Sequence, residues 1–217
     1  MTRYETVSAQ TIASTEGLHD WRYLNGALHA VFRVGSFTAA ASFAAEVAKI
    51  ADDLDHHPEI DLRFPDSVHI VTFTHYTGRT TQADVHLARE VSARALQCGA
   101  TSEPLNPQII EFAIDTTDET RILPFWRAVL DYRDFHGALI DPRRVGPPLW
   151  FQHTDEPRTE RNRFHIDVSV PHDEAERRIA AALAAGGRMV NSSHARKWWV
   201  LADADGNEAC ICTWQDR

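Results

Sequence analysis

The sequence predicts an α+β fold built from two domains, and three observations support this prediction. The first half of the 217 residues alternates strand and helix patterns, whereas the second half repeats one order of elements twice. Between the halves, residues 98–107 break all periodicity and contain two prolines, which is typical of a linker. We therefore expect an N-terminal arm over residues 1–18, a first domain over 19–100, a linker over 101–107 and a second domain over 108–217.

Each element of the first domain follows from a local pattern. Apolar alternation and β-branched residues predict strands, and apolar stripes at helical spacing predict helices. In chain order these are a strand over 28–34, a helix over 37–54, an extended stretch over 62–64, a strand over 68–74 and a helix after Gly78. Ser36 is placed to cap the first of these helices. Thr81 and Asp84 are spaced as a capping box for the second helix.

The second domain repeats its order of elements. A strand over 109–114, a helix over 119–130 and strands over 137–140 and 149–153 are followed by a strand over 164–170, a helix over 173–185 and strands over 188–190, 198–202 and 209–214. Two successive strand-helix-strand-strand-strand units in one short domain indicate an internal duplication. We expect each unit to supply a curved sheet.

Composition and charge exclude several classes of function. Acidic residues outnumber basic ones by 31 to 22, and no basic cluster is present, which argues against a nucleic-acid surface. Three cysteines, Cys98, Cys210 and Cys212, form neither a disulfide nor a zinc pattern, and Cys210 and Cys212 alternate on one strand face as core residues do. No signal peptide or long apolar segment is found, so we expect a cytoplasmic protein without membrane contact.

The run DDLDHHPE contains the most unusual chemistry. His56 and His57 directly follow the predicted helix, which Pro58 prevents from continuing, and His75 follows the end of the next strand. Imidazoles brought together in a cleft can both give and take protons near neutral pH. Asp52, one helical turn before His56, can orient an imidazole. The alternatives are a metal site, which adjacent histidines in a tight loop serve poorly, and a purely structural helix end.

Four features in the first half occur together in one family. ADDLDHHPE, the aromatic Phe64, VHIVTFTH and TTQADVHLA follow one another in this order, and over Trp21 to Leu96 the chain resembles the pterin-4a-carbinolamine dehydratase family. The resemblance implies an antiparallel sheet with helices on one face, and assembly into homodimers or homotetramers. It also implies dehydration of 4a-hydroxytetrahydropterins to quinonoid dihydropterins, a step that needs no cofactor.

The resemblance also implies roles for individual residues. His56, His57 and His75 match the family's active-site histidines, and Asp52 and Asp84 match acidic residues that support the pocket. For Asp84, the capping box is an alternative explanation. The chain departs from the family at Ile60, where tryptophan is common, and in one extra residue between Pro58 and Val68. These departures alter the expected wall of the pocket.

The second half resembles the vicinal oxygen chelate superfamily, in particular its glyoxalase-like members. The resemblance rests on IIEFAIDTTDETRILPFWRAVLDY, NRFHIDVSVPHDEAE and WWVLADADGNEACICTW, and it extends over Gln108 to Trp214. It implies paired βαβββ modules of the glyoxalase and bleomycin-resistance type. The superfamily includes isomerases, dioxygenases, resistance proteins and metal-free binders, so the fold alone does not define the chemistry.

The second resemblance places a tentative divalent-metal site on this domain. Glu111, His165 and Glu208 match positions that hold metal in metal-using members, whereas the fourth common position falls near Trp150, which cannot ligate. Two carboxylates and an imidazole suit Mn, Fe, Ni or Zn. The alternative is that Glu208 belongs to an ordinary turn and His165 is a hydrogen-bonded pocket residue.

The sequence therefore supports three hypotheses of function. The leading hypothesis is a pterin carbinolamine dehydratase that acts on a small pterin-like substrate and carries a glyoxalase-like domain of unknown substrate. The second is a metal-dependent glyoxalase-like or dioxygenase-like enzyme acting through the second domain. The third is a non-catalytic protein that binds a pterin-like ligand or a partner, as animal members of the dehydratase family do as transcription cofactors.

Overall fold

The computed structural model describes residues 3–156 and 165–216. The chain divides into two units, Met1–Ile109 and Ile110–Arg217. The first residue of the strand expected over 164–170, Phe164, lies outside the described residues. None of the helices in the described ranges combines the length and apolarity that a membrane crossing requires.

The first unit is an antiparallel sheet with its helices packed on one face. Its elements are α1 (Ala9–Ala13), β1 (Arg22–Leu24), β2 (Ala27–Arg33), α2 (Phe37–Leu54), β3 (Glu59–Arg63), β4 (Ser67–Thr72), α3 (Gln82–Gln97) and β5 (Thr101–Ser102). The strand order is β1-β2-β4-β3, and β5 also pairs with β2. The predicted antiparallel sheet with helices on one face is confirmed, and α2 has the predicted bounds.

Local signals determine where the two long helices begin. The side chain of Ser36 accepts a hydrogen bond from the amide of Ala39 at the start of α2. Thr81 and Asp84 form the predicted capping box at the start of α3. The apolar faces of both helices pack on the sheet, where Phe32 of β2 meets Phe43 of α2 edge to face with ring centroids 5.6 Å apart.

The N-terminal segment differs from the expected arm because it contributes to the first unit. Val7, Ile12 and Leu18 are buried in its core. The backbone carbonyl of Arg3 accepts from the amide of Ala83 at the start of α3, at 2.9 Å. These apolar residues are too widely spaced to produce a period, so tertiary contacts decide their burial.

The sheet of the first unit also extends into the expected linker. Thr101 and Ser102 form β5, which pairs with Arg33 and Phe32 of β2. Ladder hydrogen bonds need only backbone groups, so a two-residue strand leaves little trace in the sequence.

The second unit contains two modules of identical topology. The first consists of β6 (Phe112–Thr116), α4 (Glu119–Leu130), β7 (Arg133–Phe135), β8 (Ala138–Ile140) and β9 (Leu149–His153). The second consists of β10 (Ile166–Ser169), α5 (Ala175–Ala184), β11 (Arg188–Asn191), β12 (Trp198–Ala202) and β13 (Glu208–Cys212). Their sheet orders, β6-β9-β8-β7 and β10-β13-β12-β11, correspond strand for strand. The predicted paired βαβββ modules are confirmed, with β7 as an additional short strand.

The turn that connects β12 to β13 is organised around the buried side chain of Asp203. Asp203, which is 1% exposed, accepts hydrogen bonds from the amides of Asp205 and Asn207. Its other carboxylate oxygen accepts from the indole Nε1 of Trp126 on α4, at 2.9 Å. The turn is therefore tied to the helical layer, and β13 is held in register beside β12 and β10.

Candidate functional site

A buried histidine–aspartate pair lies where α2 ends and α3 begins. Asp55 ends α2 in the left-handed conformation, and the backbone amide of His56 then donates to the carbonyl of Ala51. This turn directs the His56 side chain inward, where its Nε2 lies 2.7 Å from Oδ1 of Asp84. His56 is 8% exposed and Asp84 is fully buried.

Asp84 is the acceptor for every group around it. Its Oδ1 also accepts from the hydroxyl of Thr72 at 2.6 Å, and its Oδ2 accepts from the hydroxyl of Thr74 at 3.0 Å and from the amide of Thr81 at 2.8 Å. Burial acts to raise the pKa of Asp84, but the hydrogen bonds from His56, Thr72 and Thr81 outweigh it and lower the pKa below its usual range. The carboxylate is therefore ionised at neutral pH.

The state of Asp84 determines the tautomer of His56. An ionised carboxylate can only accept hydrogen bonds, so Nε2 of His56 must donate to it. In the neutral imidazole this leaves Nδ1 as a hydrogen-bond and proton acceptor. His56 also lines a cavity of about 410 Å³ together with Asp53, Gln82 and His86.

His57 and His75 lie at the same end of the sheet but remain exposed. Glu59, the first residue of β3, pairs with Val71 near the end of β4. His57, just before β3, and His75, just after β4, therefore occupy neighbouring positions. Nε2 of His75 lies 3.7 Å from a carboxylate oxygen of Glu59, and Nε2 of His57 lies 3.0 Å from Oδ1 of Asp52. The side chains of His57 and His75 are 57% and 51% exposed.

The predicted supporting residues therefore take distinct positions. Asp52 contacts His57, and Asp84 contacts His56 while also serving in the capping box. Ile60, the position that departs from the family pattern, lies on β3 and packs partly buried against the core.

The sequence patterns did not identify the two threonines whose hydroxyls donate to Asp84. Thr72 and Thr74 are buried at and just beyond the end of β4, with hydroxyls directed at the carboxylate. Their alternation in VHIVTFTH was a usable signal, because two threonines on one strand face can point to a common acceptor. Arg3 was also missed. Its guanidinium donates to the carbonyls of Leu54 and Asp55 beside the same cavity, and no local pattern indicated this contact.

The second unit has a separate cavity of about 570 Å³ on the sheet of its second module. Side chains from all four strands and from the residue before β10 line it: His165, Asp167, Val190, Asn191, Trp198, Val200, Glu208, Cys210 and Cys212. His165 and Glu208, two of the three predicted metal ligands, therefore share one cavity. The cysteines predicted as core residues are buried and also form part of its floor.

The third predicted ligand lies elsewhere in the second unit. Glu111 precedes β6 by one residue and is exposed, and it is not among the described residues that line this cavity. Trp150, at the fourth position, lies on β9 and is 38% exposed. Among the described residues, the group of donor atoms that lie within 4.8 Å of one another includes His165 but neither Glu111 nor Glu208.

Two residues that the prediction omitted complete a group of donors. One ligand atom each from His165, Asp167 and Cys210 lie within 4.8 Å of one another. Nε2 of His165 is 3.3 Å from Oδ1 of Asp167. Burial, together with the neighbouring Asp167, raises the pKa of Cys210 to about 12, so the thiol is protonated at neutral pH.

Comparison with protein families gives two matches that divide the chain as the structure does. A family model described as pterin 4 alpha carbinolamine dehydratase matches residues 5–94. A second model, described as glyoxalase-like domain, matches residues 111–212.

Related proteins match the first unit. A protein of Mycobacterium leprae (strain Br4923), provisionally named pterin-4-alpha-carbinolamine dehydratase, is 34% identical over 82 residues, which cover 38% of this chain and 86% of that protein. A protein of Chloroflexus aurantiacus with the same provisional name is 36% identical over 72 residues, covering 33% of this chain and 76% of that protein.

Solved structures are similar to each half. A transcriptional coactivator/pterin dehydratase from Brucella melitensis is 27% identical, covers 42% of this chain and 99% of its own, and gives a TM-score of 0.38. The fosfomycin resistance protein FosX from Mesorhizobium loti is 14% identical, covers 48% of this chain and 90% of its own, and gives a TM-score of 0.41.

Proposed function

The chain belongs to the pterin-4a-carbinolamine dehydratase family, and from this premise we propose that its first unit dehydrates 4a-hydroxytetrahydropterins to quinonoid dihydropterins. The observation that supports the proposal most directly is the buried His56–Asp84 pair, 2.7 Å apart, with exposed His57 and His75 at the same end of the sheet. The second unit, which matches a glyoxalase-like domain, contributes none of these residues.

The reaction needs two proton transfers. The bond between the 4a carbon and its hydroxyl oxygen breaks, and the oxygen leaves as water after taking a proton from a protonated imidazole. A neutral imidazole takes the proton from the adjacent ring nitrogen, whose electrons form the new carbon–nitrogen double bond. The protons given and taken balance, so the imidazoles exchange roles and no cofactor is consumed.

The three histidines suit this chemistry for different reasons. His56 is held in one tautomer by a carboxylate that has no contact with solvent, so its Nδ1 is a well-oriented proton acceptor. His57 and His75 are half exposed, and each lies beside a carboxylate, that of Asp52 for His57 and that of Glu59 for His75.

The experiment compares dehydration of 4a-hydroxytetrahydropterin by the full chain and by His57→Ala and His75→Ala variants. Both side chains are exposed, so their loss leaves the core intact. We expect each variant to lose about 10²- to 10⁴-fold in kcat, the usual contribution of one general acid or base. His19→Ala is the matched control, because His19 is an exposed histidine of the same unit beside Asp20. A wild-type rate in the variant that carries both replacements would show that these histidines do not transfer the protons. No rate above the uncatalysed reaction in the unaltered chain would show that the first unit is not a dehydratase.

A further inference from the structure

We propose that the cavity of the second unit is a divalent-cation site of the zinc class, with His165, Asp167 and Cys210 as its protein ligands. The described residues that line the cavity belong to the second βαβββ module or, in the case of His165, directly precede it. This set differs from the one that the sequence predicted, since it replaces Glu111 and Glu208 with a carboxylate and a thiol.

Strand register is the reason that these three side chains converge. β10 runs parallel to β13, and Asp167 is the direct partner of Cys210 in that ladder. Their side chains point to the same face of the sheet, because paired residues on adjacent strands share a face. His165 lies two residues before Asp167 and therefore returns to that face, where it also lines the cavity.

The distances between the three ligand atoms are compatible with coordination of one ion. The three ligand atoms lie within 4.8 Å of one another. Ligands bound to one tetrahedral zinc ion at about 2.0 to 2.3 Å are separated from each other by about 3.5 Å. The His165 and Asp167 side chains are exposed and therefore have room to rotate towards a shared ion.

The donor types select the class of cation. One sulfur, one imidazole nitrogen and one carboxylate oxygen favour zinc or cobalt over magnesium or calcium, which require oxygen ligands. Three protein ligands leave a fourth position, and the cavity provides the space for water or a substrate there. Cys210 is 5% exposed, so the metal–sulfur bond would be shielded from solvent on the sheet side.

The test is titration of the purified full chain with Co²⁺, a spectroscopic probe for zinc sites. We expect one equivalent to bind, with the metal displacing the thiol proton of Cys210 into solvent and giving a thiolate-to-metal charge-transfer band, and Zn²⁺ to displace the Co²⁺. Cys210→Ser should abolish the band. Cys212→Ser is the matched control, because Cys212 lies on the same strand and lines the same cavity outside the donor group, and it should retain the band.

Two further variants keep the test decisive if Cys210→Ser does not fold. His165→Gln and Asp167→Asn change exposed side chains, and each should weaken Co²⁺ binding by more than about 10-fold, the least that loss of even an outer-shell partner commonly costs. Glu111→Gln should bind Co²⁺ as the wild type does. The proposal is overturned by an absence of stoichiometric binding, by binding without the thiolate band, or by a loss of affinity in Glu111→Gln and not in Asp167→Asn. The readout is the metal itself and is therefore independent of the dehydratase assay.

Discussion

Replacing Asp84 by Asn removes one negative charge from a site where hydrogen-bond donors surround both carboxylate oxygens. His56 and Thr72 donate to one oxygen, and Thr74 and the amide of Thr81 donate to the other. The amide group of Asn has a single acceptor oxygen, so whichever way it turns, the donors on one side face an NH₂ group. Leaving a buried donor without its acceptor costs about 1 to 3 kcal/mol, and at least two donors lose theirs here, so the expected cost is about 2 to 6 kcal/mol. We expect the first unit to lose a free energy of unfolding in that range.

The assay has to report on the first unit alone, because the full chain contains two units. Hydrogen exchange of the amides in α3 and β4, followed by mass spectrometry, gives the opening free energy of this unit. Asp52→Asn is the matched control, since the Asp52 side chain is 75% exposed and contacts only His57 among the hydrogen bonds described. It should change the free energy by less than about 0.5 kcal/mol.

The same replacement has a signature in pH. The folded-state pKa of Asp84 is lowered, so the folded state binds fewer protons than the unfolded chain in the acid range. Its contribution to stability is therefore present above the ordinary pKa of an aspartate and is lost as the pH falls through the folded-state pKa. Asp84→Asn should lack this part of the acid dependence. Opening free energies within about 1 kcal/mol of the wild-type value at neutral pH would refute the reasoning. They would mean that the buried donors are satisfied without the negative charge of Asp84.

Two further predictions concern buried polar groups outside the site. His29, buried with its Nδ1 3.3 Å from Nε2 of His69, has its pKa lowered to about 4 by burial and then by His69. The folded state binds fewer protons at this imidazole than the unfolded chain does, so stability falls as the pH drops from about 6.5 towards about 4. His29→Gln should reduce the loss of unfolding free energy between pH 7 and 4.5 by about 2 to 3 kcal/mol, measured by hydrogen exchange of β2 and β4 in the first unit. Asp203→Asn should destabilise the second unit by about 2 kcal/mol, because one amide oxygen cannot accept from both the Trp126 indole and the turn amides. The loss should be seen as faster exchange in β12 and β13 with unchanged dehydratase rates.

Local sequence patterns located some residues of the candidate site but not their partners. DDLDHHPE located His56 and His57 at the end of α2, and the capping box located Asp84 at the start of α3, because both signals are confined to a few neighbouring residues. That His56 bonds to Asp84, 28 positions away, and that Asp52 bonds to His57 instead, depends on the left-handed turn at Asp55.

Hydrophobic periodicity and capping residues were sufficient to predict the α+β class, the duplication in the second half and the ends of α2 and α4. Each of these features depends on interactions between residues within one or two turns of the chain. Tertiary structure alone decided the burial of the N-terminal segment, the pairing of β5 with β2, and the grouping of His165 with Asp167 and Cys210. Those features depend on which strand lies beside which and in what register. Register is set by the packing of the whole sheet against its helices, a long-range property that residue spacing does not contain.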